Sequence, residues 1–180
     1  MAQIKRLHPE IPALDEALEL LRGRVALEVE IKNASHEPGY QPSGTTIARD
    51  VVVALRRHAF TDAFVSSFDP KCLRSVQEFD RGISTGLLMD RSSDLDQALD
   101  TIAGSHAVLL PEARALERAG KTFIDRAHDR GIRLCTWTVD DGTSIRRLFD
   151  LGVDAVETND PALGVVVRDR IRGLDRHQRS

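Results

Sequence analysis

The sequence predicts an α/β protein built from six strand–helix units of a TIM-type (β/α) barrel, incomplete against the usual eight, and three observations carry that prediction. Short runs rich in β-branched residues alternate with amphipathic helical runs along nearly the whole chain. Gly131 and Gly152 each close a helix just before a strand, in "RGIRLCTW" and "LGVDAVET", which is the αβ turn of a repeating βα architecture. The run "VALEVEIKN", residues 25–33, places Leu27, Val29 and Ile31 on one face and Glu28, Glu30 and Lys32 on the other. A doubly wound sheet has helices on both faces and would bury those charges against apolar side chains at high cost. A barrel turns one face to the helices and the other to a lumen that is wet near its C-terminal mouth. No Gly-rich dinucleotide fingerprint follows any strand, which also lowers the doubly wound alternative.

The elements follow in order. Leu14, Ala17, Leu18 and Leu21 have helical spacing, with Gly23 as a stop. The charged strand comes next, over 25–32. Ile47, Val51, Ala54, Leu55 and His58 mark a helix capped by Ser43 or Thr45. "AFVSSF" (63–68) is a strand, and "DPKCLRSVQEF" a helix with Asp69 as cap and Pro70 at its first position. "ISTGLLM" (83–89) is a strand, followed by "SSDLDQALDTI" as a helix capped by Ser92 or Ser93. "AVLL" (107–110) precedes a helix over 112–130 that breaks near Gly120. "RLCTWTV" (133–139), "GTSIRRLFDL", "AVET" (155–158) and a helix over 161–172 complete the series, leaving a polar tail at 173–180 expected to fray. No linker or low-complexity segment interrupts them, so residues 1–180 read as one domain.

Composition limits what this domain does. With 41% hydrophobic and 29% charged residues the chain is globular rather than disordered. A net charge of −3 argues against nucleic acid or an anionic membrane surface as partner. Cys72 and Cys135 lack metal-type spacing and suit a reducing compartment. "MAQIKRLHPE" has no signal-peptide core and no apolar run reaches membrane-spanning length, so a cytoplasmic protein is expected.

The chemistry lies on the charged strand. Glu30 and Lys32 share a face, about 7 Å apart along the strand. A carboxylate can hold a hard divalent cation, and an ammonium beside it can meet an anionic oxygen such as phosphate. The pair is therefore suited to phosphate chemistry at a barrel mouth, with a self-neutralising internal ion pair as the plain alternative. Trp137, the sole tryptophan, shares a strand face with Arg133 and Cys135 and reads either as core or as a ligand wall.

Several segments resemble the glycerophosphodiester phosphodiesterase family, in the family's order from residue 11 to 166. "ALEVEIK" is similar to its Glu-x-Lys strand, "IPALDEALELL" to its Ile-Pro-x-Leu-x-Glu helix start, and "VSSFDPKCL" to its Ser-Phe-Asp segment. "AHDRGIRLCTWTVDD" resembles the late His-x-x-Gly strand ending in Trp-Thr-Val, and "GVDAVETNDPAL" the last strand. The resemblance implies an eight-stranded barrel, of which this chain carries strands three to eight, and hydrolysis of a small-molecule glycerophosphodiester to an alcohol and glycerol 3-phosphate. By position it implies Glu30 as a ligand to a divalent cation, Ca²⁺ or Mg²⁺, Lys32 as the catalytic base that approaches the phosphate, and Trp137 as the aromatic wall for the glycerol portion.

The family's His-Arg pair, its Glu-x-Asp and its second histidine lie upstream of the Ile-Pro-x-Leu segment, and none of them stands before Ile11 here. Those histidines are the expected acid and base, a role worth on the order of 10²–10⁴ in rate. Little turnover and poor cation binding are therefore expected of the 180 residues alone. The strands at 25–32 and 154–158 are expected to keep open barrel edges that recruit a second copy of the chain. A non-catalytic, self-associating barrel remnant and a barrel of the phospholipase C type are the rival readings.

Among other candidates, His36 and Glu37 sit in the long Gly/Pro-rich loop after the charged strand, where His36 has the chemistry to stand in for a histidine, although loop histidines are mostly solvated. His58 and His128 read as structural, and His106 opens a strand away from the chemistry. Asp69, Asp140, Asp141 and Asp160 follow strands and read foremost as helix caps. Glu28, Glu157 and Asn159 depart from the family's residue types at their positions.

Overall fold

The computed structural model describes residues 6–33, 35, 39–102 and 108–178. It comprises two compact units, Met1–Thr85 and Gly86–Ser180. His36, Glu37 and His106 lie outside the described residues.

The first unit begins with α1 (Leu14–Leu21), where Ala13 N donates to Glu16 Oε2 at 2.7 Å, so the side chain of the third helical residue reaches back to cap the start. Strand β1 (Leu27–Glu30) pairs in parallel with β2 (Ala63–Ser67), in the register Leu27–Ala63, Glu28–Phe64, Val29–Val65 and Glu30–Ser66. Between them lies α2 (Thr45–Arg57), and after β2 comes α3 (Pro70–Phe79). The register sorts the faces. Leu27, Val29, Ile31 and Val65 pack into a core with Leu18 of α1, Ala48, Val52 and Leu55 of α2, and Val76 of α3. Each such fully buried leucine or isoleucine contributes roughly 1.5–3 kcal/mol of transfer free energy. Glu28, Glu30, Phe64 and Ser66 therefore lie on the opposite face, away from the helices.

In the second unit β3 (Ser84–Met89, from Gly86 on), β4 (Val108–Pro111), β5 (Arg133–Thr136) and β6 (Ala155–Val156) pair in parallel and in chain order. They alternate with α4 (Leu95–Ile102), α5 (Ala113–Asp129), α6 (Gly142–Leu151) and α7 (Pro161–Gln178). All four residues of β4 are buried, and Leu99, Leu109, Leu110, Leu116, Ile124, Leu134, Ile145 and Leu148 have no exposed surface. The chain is thus α/β with six βα units, as its alternation predicts.

Punctuation follows the sequence in most places. Asp69 accepts from Lys71 N and Pro70 opens α3. α5 breaks at Gly120, whose φ is 69°, and Gly152 ends α6 at φ 107°. Three expectations are corrected. The N-cap of α2 is Gly44, at φ 65°, while Ser43 Oγ accepts only a 3.3 Å bond from Thr45 N. The start of α4 is capped by Asp94, which accepts from Gln97 N at 3.0 Å, because the Ser92 and Ser93 hydroxyls bond Asp90 Oδ1 at 2.7 and 2.9 Å. Strands are shorter than the apolar runs suggest, and Trp137 falls just past β5.

Candidate active site

On the side of β1 and its continuation opposite the helix-packed core, Lys32 Nζ donates to Glu30 Oε1 at 3.0 Å and sits 2.9 Å from Oε2. The Lys32 side chain is 66% exposed and that of Glu30 is 31% exposed. An exposed pair of this kind contributes roughly 0.2–1 kcal/mol, so stability alone gives little reason for it. The two charges point away from the helix-packed core, as the alternation of the strand requires.

Glu28, one pleat below, is half-buried. Burial pushes its carboxyl above the usual carboxylate range, and the nearby Glu30 charge adds to that, while the dipole of the Ser66 hydroxyl works the other way. Ser66 Oγ leans toward Glu28 yet meets hydrogen-bond geometry with no partner, and it is the only buried side-chain polar atom in that state among the described residues.

A divalent cation fits this first unit poorly. Both Glu30 oxygens face the Lys32 ammonium, and a hard cation takes six or more oxygens, of which β1 offers those of Glu30 and Glu28. The described residues of this unit do not form a coordination set by themselves.

In the second unit the C-terminal strand ends form a second group. Trp137 is half-buried; its Nε1 donates to Leu110 O at 2.8 Å, and its own carbonyl accepts from Ala113 N at 2.8 Å. The indole edge is thereby fastened to the end of β4. Arg91 bonds Glu112 at 2.9 Å, and Glu112 also caps α5 through Ala115 N at 3.0 Å. Cys135 Sγ donates weakly to Glu157 Oε1 at 3.7 Å. Asp140 accepts from Asn159 N (2.7 Å), Asn159 Nδ2 (2.9 Å) and Thr158 Oγ1 (3.2 Å), and these bonds hold its carboxyl below the usual range.

Asp69, Asp141 and Asp160 cap helices as the sequence suggests. Asp140 does not; it straps the loop after β5 to the loop after β6, and the unusual Asn159 supplies two of its three donors. His58 pairs with Asp15 at 2.9 Å and His128 with Asp154 at 2.9 Å, both structural roles. His8 meets Glu10 at 3.2 Å on the surface. The Arg91–Glu112 pair was not legible in the sequence, since its partners stand 21 residues apart and neither belongs to a motif.

Comparison with known proteins places the chain in a family. The model of the Glycerophosphoryl diester phosphodiesterase family matches residues 2–163. A glycerophosphodiester phosphodiesterase of Bacillus subtilis (strain 168) is 25% identical over 164 residues, covering 86% of this chain and 53% of that protein. One from Caldanaerobacter subterraneus subsp. tengcongensis is 27% identical over 158 residues, covering 84% and 59%. The chain therefore spans about half the length of the curated relatives it matches. Among solved structures, an Oleispira antarctica phosphodiesterase in complex with the product sn-glycerol-3-phosphate aligns with a TM-score of 0.74 at 21% identity, over 88% of this chain and 62% of that one. A glycerophosphodiester phosphodiesterase from Thermotoga maritima aligns with a TM-score of 0.70 at 21% identity, over 93% and 68%. These two likenesses establish the fold.

Proposed function

The chain belongs to the glycerophosphoryl diester phosphodiesterase family, and from that premise we propose that Lys32 binds the phosphate of a glycerophosphodiester, a small-molecule substrate. The observation that carries this is the Glu30–Lys32 pair itself, displayed on the face of β1 that does not pack on helices. Lys32 brings a compact positive charge to the phosphoryl oxygens, where charge accumulates as the bond to the leaving alcohol lengthens. Glu30 fixes the ammonium on the strand face and is one carboxylate toward a divalent cation, for which the first unit lacks the rest of a coordination set. For Trp137, in the second unit, the family resemblance implies contact with a glycerol portion; its indole Nε1 donates to Leu110 O. Glycerol phosphate is the product this reading expects, which is what the Oleispira antarctica structure contains.

The 180 residues supply no histidine at the family's acid and base positions, so binding without rapid turnover is the companion reading for this chain. Turnover of glycerophosphocholine by the purified protein, with and without Ca²⁺ or Mg²⁺, tests it. Little or no release of choline is expected, and robust cation-dependent release contradicts the reading of binding without rapid turnover. Among the described residues no helix is long and apolar enough to cross a membrane.

A further inference from the structure

Lys32 has a long, exposed side chain on a very short base, and the residues on either side of it are buried. Ile31, just before it, is 2% exposed. Its N–H donates to Ser66 O at 2.8 Å and its carbonyl accepts from Ser67 Oγ at 2.7 Å. Asn33, just after it, is 5% exposed. Its Nδ2 donates to Gln41 O and to Asp69 Oδ2, both at 2.8 Å, and its Oδ1 accepts from Gln41 N at 2.8 Å. The two anchorages are joined: Asp69 N donates to Ser67 Oγ at 3.0 Å, and Asp69 Oδ1 accepts from Lys71 N at 2.9 Å where α3 begins. One polar knot thus grips the chain immediately before and immediately after Lys32, beyond the end of β1, where the ladder alone no longer holds it.

Buried polar side chains contribute modestly to net stability, and a packed apolar cluster would serve as well for that. What such a knot adds is direction, because each bond has a required geometry and all partners are satisfied. A lysine on a mobile loop loses much conformational freedom when it meets an anion. A lysine whose backbone is already fixed loses only its side-chain rotamers. The alternation of extended chain then sends Asn33 toward α3 and Lys32 to the opposite side.

We propose that Asn33, with Ser67 and Asp69, is a positioning residue for Lys32. It fixes the base from which the ammonium reaches a phosphate oxygen, and its bonds to Gln41 and Asp69 hold it there. This inference rests on the phosphate-binding reading of Lys32, and its test separates the two. The probe is sn-glycerol 3-phosphate, titrated into the whole protein while the side-chain NMR signals of its four lysines are followed. In the unsubstituted protein the two Lys32 Hε protons are expected to be inequivalent and to shift on titration. Lys32→Ala should weaken binding about tenfold or more. Asn33→Ala should weaken it about fivefold and merge the two Lys32 Hε signals, with the remaining spectrum still that of a folded protein. Gln41→Ala keeps both backbone bonds to Asn33 and should leave affinity within about twofold. Where Asn33→Ala does not fold, Ser67→Ala, which removes one hydroxyl and releases Ile31 O, carries the same expectation. If Lys32→Ala weakens binding while Asn33→Ala and Ser67→Ala do not, the positioning role is overturned. If Lys32→Ala has no effect, the phosphate-binding reading itself is overturned.

Discussion

Gly44→Ala is the substitution whose cost can be worked most directly from the geometry. Gly44 has φ of 65°, in the left-handed region, and a methyl group placed there would lie 2.3 Å from Cys72 Sγ, 3.1 Å from Cys72 Cα and 3.2 Å from Cys72 N. The backbone conformation alone costs a non-glycine residue roughly 1–2 kcal/mol. Forcing a methyl against a fully buried sulfur and its backbone adds about 1–3 kcal/mol of overpacking. The sum, about 2–5 kcal/mol, is a large part of the 5–15 kcal/mol typical of a domain. Urea unfolding followed by far-UV circular dichroism measures it; Trp137, the only tryptophan, lies in the second unit and its fluorescence would miss the first. The same substitution in a Cys72→Ala background should recover about 1–2 kcal/mol, because the sulfur is gone while the backbone contacts and the positive φ remain. A cost below about 1 kcal/mol, or additive effects of the two substitutions, would refute the close α2–α3 packing inferred at this point.

Four further outcomes are expected. Burial, aided by the adjacent Asp69 carboxylate, pushes the Cys72 thiol up to about 12 from an ordinary 9.0, so it stays protonated and should resist disulfide reagents at pH 8 in a Cys135→Ala protein until the chain unfolds. Because the folded value is the higher one, the linked stability is intact below about pH 9 and falls as pH rises toward 12, by on the order of 1 kcal/mol at pH 10; equal denaturation midpoints at pH 8 and pH 10 in that background would contradict it. Asp15, held below its usual range chiefly by its hydrogen bond to His58, contributes stability that is present above its unfolded value near 3.8 and lost as pH falls through the lower folded value. Asp15→Asn should flatten that acid limb of the stability profile, and an unchanged limb would show that the pair is not coupled to folding. Finally, β1 pairs only with β2 and β6 only with β5 among the described residues, so sedimentation velocity should show concentration-dependent self-association, which a sharp monomer boundary at all concentrations would exclude.

The sequence carried the parts of the fold that periodicity encodes. Alternation placed Glu28, Glu30 and Lys32 opposite Leu27, Val29 and Ile31, and the register with β2 places them so. Gly131 and Gly152 marked helix ends because each must take a positive φ that other residues avoid. Caps were harder, since several oxygens near a helix start compete for the same N–H groups. Asp90 captured both serine hydroxyls, and Asp94, closer to the helix, was left to cap it. What stayed hidden is nonlocal. Asn33 reaches Asp69, 36 residues away, and Asp140 reaches Asn159, 19 residues away; no spacing rule within one strand or helix points to such partners. Strand lengths were overestimated for a related reason. An apolar run reports burial, but a strand ends where its ladder does, so "RLCTWTV" stops being strand at Thr136 while Val139 remains buried.

Protection of lysines from acylation tests the phosphate reading most directly, with no substitution at all. The protein holds Lys5, Lys32, Lys71 and Lys121. Under a limiting acylating reagent, glycerophosphocholine should slow modification of Lys32 several-fold while Lys71 and Lys121 react at unchanged rates, and choline or glycerol should protect none of them. Lys32 reacting as fast with glycerophosphocholine as without it would contradict the assignment of its ammonium to the phosphate.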